Sequence, residues 1–156
     1  MLVLVALSLA AWRWPRAPEP ATQAIAAVAP AAQAEAPDAV LRRLLAQPEV
    51  DDTAAWSRLA ALWGWSATPE QLAKLGECEG RIVADVNCLR ASGPLGRLGA
   101  LGRPVILRLR SDQGFVSALL LGIDDQRVQL EIHGEALTLP RALIELHWLG
   151  DYRALW

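Results

Sequence analysis

Two cysteines, Cys78 and Cys88, and two histidines, His133 and His147, are the side chains of this 156-residue chain with the widest chemical repertoire. A thiolate can attack a carbonyl with an imidazole as its base, and thiols with imidazoles can hold zinc. Zinc fails on spacing. Nine residues separate the cysteines, no Cys-x-x-Cys or His-x-x-x-His accompanies them, and both histidines lie far down the chain. No metal site and no cofactor are expected. A thiol–imidazole pair is also disfavoured, because nothing in the spacing brings a cysteine to a histidine. His133 beside Gly134 reads as a turn residue, and His147 before Trp148 as an exposed residue at a helix end, where the dipole favours a cation. The cysteines then read as a Cys78–Cys88 disulfide, whose loop restricts the unfolded chain by about 2.5 to 3 kcal/mol. Two buried free thiols are the alternative.

Two other segments invite a functional reading. Gly93-Pro-Leu-Gly-Arg-Leu-Gly-Ala-Leu-Gly102 is glycine-rich, but no Lys-Ser/Thr follows it, so a phosphate loop is not expected. Tryptophans can stack on sugars, and Trp65 and Trp148 are the candidates for that, whereas Trp56 and Trp63 fall seven apart on one helix face and read as core. Hydrophobic residues make up 53% of the chain, charged residues 21%, and the net charge is −2. That balance excludes a disordered tail and offers no basic field for nucleic acid.

The elements that would position these residues fall into an α+β order, helices first and an antiparallel sheet after. Asp38 is expected to cap a helix carrying Val40, Leu41, Leu44 and Leu45, which Pro48 ends. Asp52 or Thr53 should cap the next, with Trp56, Leu59, Leu62 and Trp63 inward and Gly64 as the stop. Thr68-Pro-Glu-Gln71 is a capping-box start for a third helix, ended by Gly76. Val86 to Ala91 reads as extended, and Leu95, Leu98 and Leu101 suggest one short helix. Val105–Arg110, Phe115–Ile123 and Val128–Ile132 read as a meander, with Val116 to Leu121 as the central strand. Ala136–Leu139, a short helix from Pro140 through His147, and a strand over Tyr152–Trp156 complete the chain.

Upstream, residues 1–14 begin with an uncharged apolar run ended by Trp12-Arg-Trp14. At 1.5 Å per residue such a segment spans about 16 to 21 Å, less than the ~30 Å hydrocarbon layer, so it reads as the tail end of a membrane span. A signal peptide is the competing reading, although a basic n-region and a small-residue cleavage site are missing. Residues 15–37, rich in alanine and proline, read as a linker, and residues 38–156 as the folded domain.

Ala55-Trp-Ser-Arg-Leu-Ala-Ala-Leu-Trp-Gly64, Cys78, Asn87-Cys-Leu-Arg90, Leu98-Gly-Ala-Leu-Gly-Arg-Pro-Val-Ile-Leu107, Leu121-Gly-Ile-Asp124 and Trp148-Leu-Gly-Asp-Tyr-Arg-Ala-Leu-Trp156 follow one another in an order that resembles the periplasmic region of the general secretion pathway protein A (GspA, or ExeA) family. In that family an ATPase, one transmembrane helix and a linker precede a domain resembling C39 cysteine peptidases, and a peptidoglycan-binding module follows it. The chain looks like the middle of this arrangement, without the ATPase motif or the peptidoglycan-binding repeat. The resemblance implies a degenerate papain-like, C39-peptidase-like fold. The nucleophile's place falls at the helix start Asp51–Ala54, which has no cysteine; the histidine's falls near Val116, and the third group's near Glu131. The implied function is therefore a non-catalytic periplasmic interaction domain of type II secretion, assisting secretin assembly or passage through peptidoglycan. Its implied partners are a GspB-like inner-membrane protein and peptidoglycan, with the membrane held through the N-terminal segment. Asp51, Asp52, Thr53, Glu131 and Trp65 are the candidate binding surface. An active envelope cysteine peptidase or amidase using Cys78 or Cys88, or a stand-alone wall-sugar-binding protein, are the alternatives.

Overall fold

The structure, a computed structural model, describes residues 35–49 and 51–156. The apolar run over residues 1–14 and residues 15–34 of the linker expected over 15–37 lie outside the described residues, and the last linker residue, Pro37, already belongs to the first helix. Among the described residues no helix is long and apolar enough to cross a membrane.

The first three helices start for local reasons. In α1 (Pro37–Leu45) proline opens the first turn and Ala36 stands at the N-cap. Asp38, expected as the cap, lies inside the first turn instead and pairs with Arg42 at 2.7 Å, an i,i+4 ion pair on the exposed face. The N-cap of α2 (Thr53–Leu62) is Asp52, whose side chain caps nothing; the Thr53 N–H donates to Oδ1 of Asp51 at 3.0 Å. The buried stripe is Trp56, Leu59 and Ala60, while Leu62 is 42% exposed. The expected stripe ran one residue too far round the helix, because spacing alone could not tell Ala60 from Leu62 as the inward position. In α3 (Pro69–Glu77) the capping box is complete, with Thr68 Oγ1 accepting from the Gln71 N–H and the Thr68 N–H donating to the Gln71 side chain. Gly76 does not end this helix. Cys78 does, in the left-handed conformation at φ 51°.

Among the described residues all strands join one antiparallel sheet of seven, in the order β1 (Gly80–Val83), β2 (Val86–Ser92), β7 (Trp148–Leu155), β3 (Val105–Ser111), β4 (Gly114–Ile123), β5 (Arg127–Ile132), β6 (Glu135–Pro140). Within the meander the expected Val116–Leu121 is the central, buried strand, lying between β3 and β5, while β3 takes the middle of the whole sheet because β7 inserts between β2 and β3. That strand begins at Trp148, four residues ahead of the expected start at Tyr152. Short helices α4 (Leu95–Leu101) and α5 (Arg141–Glu145) fill the connections on either side of the meander. The insertion of β7 requires a close backbone approach, in which the Gly93 N–H donates to the Gly150 carbonyl at 3.1 Å. A Cβ on Gly150, whose φ is 101°, would stand 3.3 Å from the Gly93 oxygen.

Alternation along the strands divides the interior in two. Leu107, Leu109, Val116, Ala118 and Leu120 face α1, α4 and α5, in one cluster with Leu41, Leu44, Leu98 and Ile144. Ile106, Leu119 and Leu155 face α2 and α3, in a second cluster with Trp56, Leu59 and Leu75. Trp148 is buried in the first cluster, and its indole N–H donates to the Asp151 carbonyl at 2.7 Å. A sugar platform at Trp148 is therefore ruled out: its face is packed and its N–H is spent. His147 is half-buried, with Nδ1 3.3 Å from the Arg110 carbonyl, so the expected exposed helix end is corrected as well.

Candidate functional site

The site is built at the start of α2, where that helix meets the middle of β4 and the end of β5. β5 is paired to β4 with Glu131 opposite Leu119. Two residues further the partner of Ser117 would be His133, but His133 and Gly134 form the two-residue turn into β6, with φ values of 50° and 80°. β5 therefore ends just before Ser117, and the Ser117 N–H has no strand to bond. Glu49 replaces the missing strand, accepting that N–H with both carboxylate oxygens, at 2.9 and 3.0 Å. A buried amide left without a partner is destabilising by about 1 to 3 kcal/mol, which explains why a loop carboxylate is drawn into the sheet.

The result is a small cleft of about 80 Å³ lined by Glu49, Asp51, Ala54, Ala55, Ser117, Leu119, Glu131, His133 and Gly134. Ala54 and Ala55 present the first turn of α2, the positive end of its dipole. Glu131 is held by Arg58 at 3.1 Å, with 16% of its side chain exposed. Burial pushes the Glu49 carboxyl above its usual range; the Ser117 hydrogen bonds act against this, Asp52 adds to it and His133 opposes it. Three carboxylates surround the opening, yet among the described residues no group of ligands is arranged to hold a metal ion.

Of the sequence-derived candidates, Asp51 and Glu131 meet in this cleft. Thr53 is exposed beside it on the first turn of α2. Asp52 turns away: its Oδ2 lies 2.6 Å from Nη1 of Arg153 on β7, and its Oδ1 lies close enough to α3 that a Cβ at Gly76 would stand 3.3 Å from it. The Arg153 side chain is 9% exposed and that of Asp52 23%. Burial pulls the Arg153 guanidinium below its usual range although Asp52 supports the charge. Asp52 is thus a strut between α2 and the sheet. Trp65 packs half-buried against the cluster under α2 and α3 and does not line the cleft. Val116, near which the resemblance puts the histidine's place, belongs to the opposite core, while its neighbour Ser117 lines the cleft with Leu119.

Cys78 and Cys88 are bonded to each other, joining the end of α3 to β2, and no cysteine is left free. Both lie in the core beneath α2 and α3, outside the cleft. The chain therefore carries no thiol at the start of α2. Sequence reading missed Glu49, which no local pattern marks. It also missed Ser117, although a hydroxyl inside the apolar run Val116–Leu121 was a usable signal.

A family model described as "GspA, peptidase C39-like domain" matches residues 40–156. The chain belongs to this GspA family. Among solved structures, the GspA-family domain is similar to the "periplasmic domain of the EpsAB fusion protein of the Vibrio vulnificus type II secretion system", at 24% identity and a TM-score of 0.59 over 67% of this chain. The chain spans 45% of that structure's length. It is also similar to the peptidase domain of Streptococcus ComA, a bi-functional ABC transporter involved in a quorum sensing pathway, at 13% identity and a TM-score of 0.52, covering 70% of this chain and 93% of that one. At these identities the likenesses establish a shared fold, helices followed by a seven-stranded antiparallel sheet as in C39 peptidase domains. No curated protein sequence matches the chain.

Proposed function

We propose that the chain is a non-catalytic, periplasmic interaction domain of a GspA-like type II secretion protein, assisting secretin assembly or passage through peptidoglycan. One observation carries the reading. In a domain of the GspA C39-like family, the helix start where a papain-like nucleophile stands offers Asp51, Thr53 and Ala54, while both cysteines are joined elsewhere. In the cleft at this helix start, Glu49 occupies the Ser117 N–H. The disulfide favours an oxidising compartment, which fits the periplasmic face. Residues 1–14 would hold the chain at the inner membrane and residues 15–37 would tether the domain. Its partners in this reading are a GspB-like inner-membrane protein and peptidoglycan, met through the surface around Asp51, Thr53 and Glu131.

The test is co-sedimentation of the purified full chain with sacculi, and with inner-membrane vesicles containing the secretion partner. Ala54→Trp, which fills the mouth of the cleft from an exposed helix position, is expected to reduce capture without lowering the melting temperature. Full capture by Ala54→Trp would overturn the cleft as the binding surface, and peptide hydrolysis by the parent chain would overturn the non-catalytic reading.

A further inference from the structure

The sheet face beneath α2 carries three arginines on adjacent strands. Arg90 on β2 lies directly opposite Arg153 on β7, and Arg153 lies opposite Ile106 on β3, which makes Arg108 its diagonal neighbour. Directly opposed side chains have Cβ atoms about 5 Å apart and diagonal ones about 7 to 8 Å, and like charges so placed repel. Among the described residues Asp52 is the one carboxylate that forms an ion pair with any of them, at Nη1 of Arg153. Among the described residues neither Arg90 nor Arg108 enters an ion pair. Arg90 donates to the Glu77 carbonyl at 3.2 Å, and Arg108 lies 4.5 Å over the ring of Phe115. Arg153 is 7% exposed, and its Nε is buried without a hydrogen-bond partner.

Three neighbouring guanidiniums with one paired carboxylate leave the cluster with a net positive charge. Substituting Arg90 or Arg108 by an uncharged residue would relieve repulsion without exposing core. What the arrangement suits is an oxyanion, which guanidiniums bind with paired, charge-assisted hydrogen bonds. We propose that Arg90, Arg108 and Arg153 form an oxyanion-binding site, taking a carboxylate or phosphate group beside Asp52 at the start of α2. Arg153 is the fixed, desolvated element, held by Asp52. Arg108, half-buried and steadied by Phe115, and Arg90, exposed, are the arms that close on the ligand. The site adjoins the cleft, because Arg108 lies directly opposite Ser117.

The experiment is an NMR titration of the full chain, following arginine side-chain N–H signals at constant ionic strength, with inorganic phosphate, N-acetylglutamate and chloride as separate probes. Phosphate or N-acetylglutamate should move the Arg108 and Arg153 signals saturably, and chloride should not. Saturation by phosphate alone assigns a phosphate-bearing ligand, and saturation by N-acetylglutamate alone assigns a peptide carboxylate. Arg108→Gln should weaken binding about tenfold, the loss of one charge-assisted contact, while Arg127→Gln at the remote end of β5 leaves it unchanged. Arg90→Gln gives a second reading that does not touch the buried pair. Non-saturating shifts shared with chloride, or binding unaffected by both Arg108→Gln and Arg90→Gln, would overturn the proposal.

Discussion

Replacing Asp52 by asparagine separates a structural role from a binding role at the start of α2. The substitution keeps the size of the side chain and removes the charge that faces Arg153 at 2.6 Å. Removing one partner of a fully buried pair is destabilising by about 3 to 5 kcal/mol, since the other charge stays desolvated. Here the arginine side chain is 9% exposed but the aspartate 23%, so some water reaches the pair and the lower end applies, about 3 kcal/mol. For a domain of this size that is a fall in melting temperature of about 10 °C. The repulsion from Arg90 and Arg108 adds to the effect, because Asp52 is what offsets it. Adding Arg153→Met should recover most of the loss, because an apolar side chain of similar reach removes the stranded charge. Thermal unfolding of the parent, both single variants and the double variant is the assay. A melting temperature for Asp52→Asn within 2 °C of the parent, where about 10 °C is expected, would refute the strut reasoning.

Thiol titration of the denatured, oxidised chain should find no free thiol, and Cys78→Ser with Cys88→Ser should lower stability by about 2.5 to 3 kcal/mol in a denaturant melt. The parent should neither hydrolyse peptides nor label with electrophiles aimed at activated thiols; hydrolysis lost in either cysteine variant would mean a relocated active site. Glu49→Gln should gain stability relative to the parent as pH rises above 4.5. The folded-state pKa of Glu49 is raised, so its favourable term is complete below the unfolded value of 4.5 and is lost as pH climbs through the folded one. Urea midpoints of the two proteins that keep a constant difference from pH 4 to 7 would count against burial as the cause.

How far the sequence reaches depends on how local each cause is. The capping box at Thr68 and Gln71 closes within four residues, and the structure has it as read. The meander strands β3, β4 and β5 were legible because tight turns at Ser111–Gly114 and Asp124–Gln126 pair neighbours in sequence. β7 was read as the last strand but began four residues late, and its place between β2 and β3 was not legible because its partners Leu89 and Ile106 lie far up the chain, where periodicity carries no information about pairing. β1 went unread: four residues opening on Gly80 and Arg81 show no apolar alternation, and its hairpin is closed by the Cys78–Cys88 bond. In the cleft, Asp51 and Glu131 were legible through family resemblance. Glu49 was not, because its bond to Ser117 spans 68 residues and satisfies an amide that is orphaned only by the place where β5 stops.

The central claim is that the cleft at the start of α2 is a binding surface. Photo-crosslinking in cell envelopes tests it most directly, with the crosslinking residue placed at Ala54 in the cleft mouth and, in a control, at Asp125 on the exposed β4–β5 turn. The account predicts a defined adduct to an inner-membrane secretion protein or to peptidoglycan from position 54, lost on Asp51→Lys, and none from position 125. An adduct from position 125 with none from position 54 would contradict it.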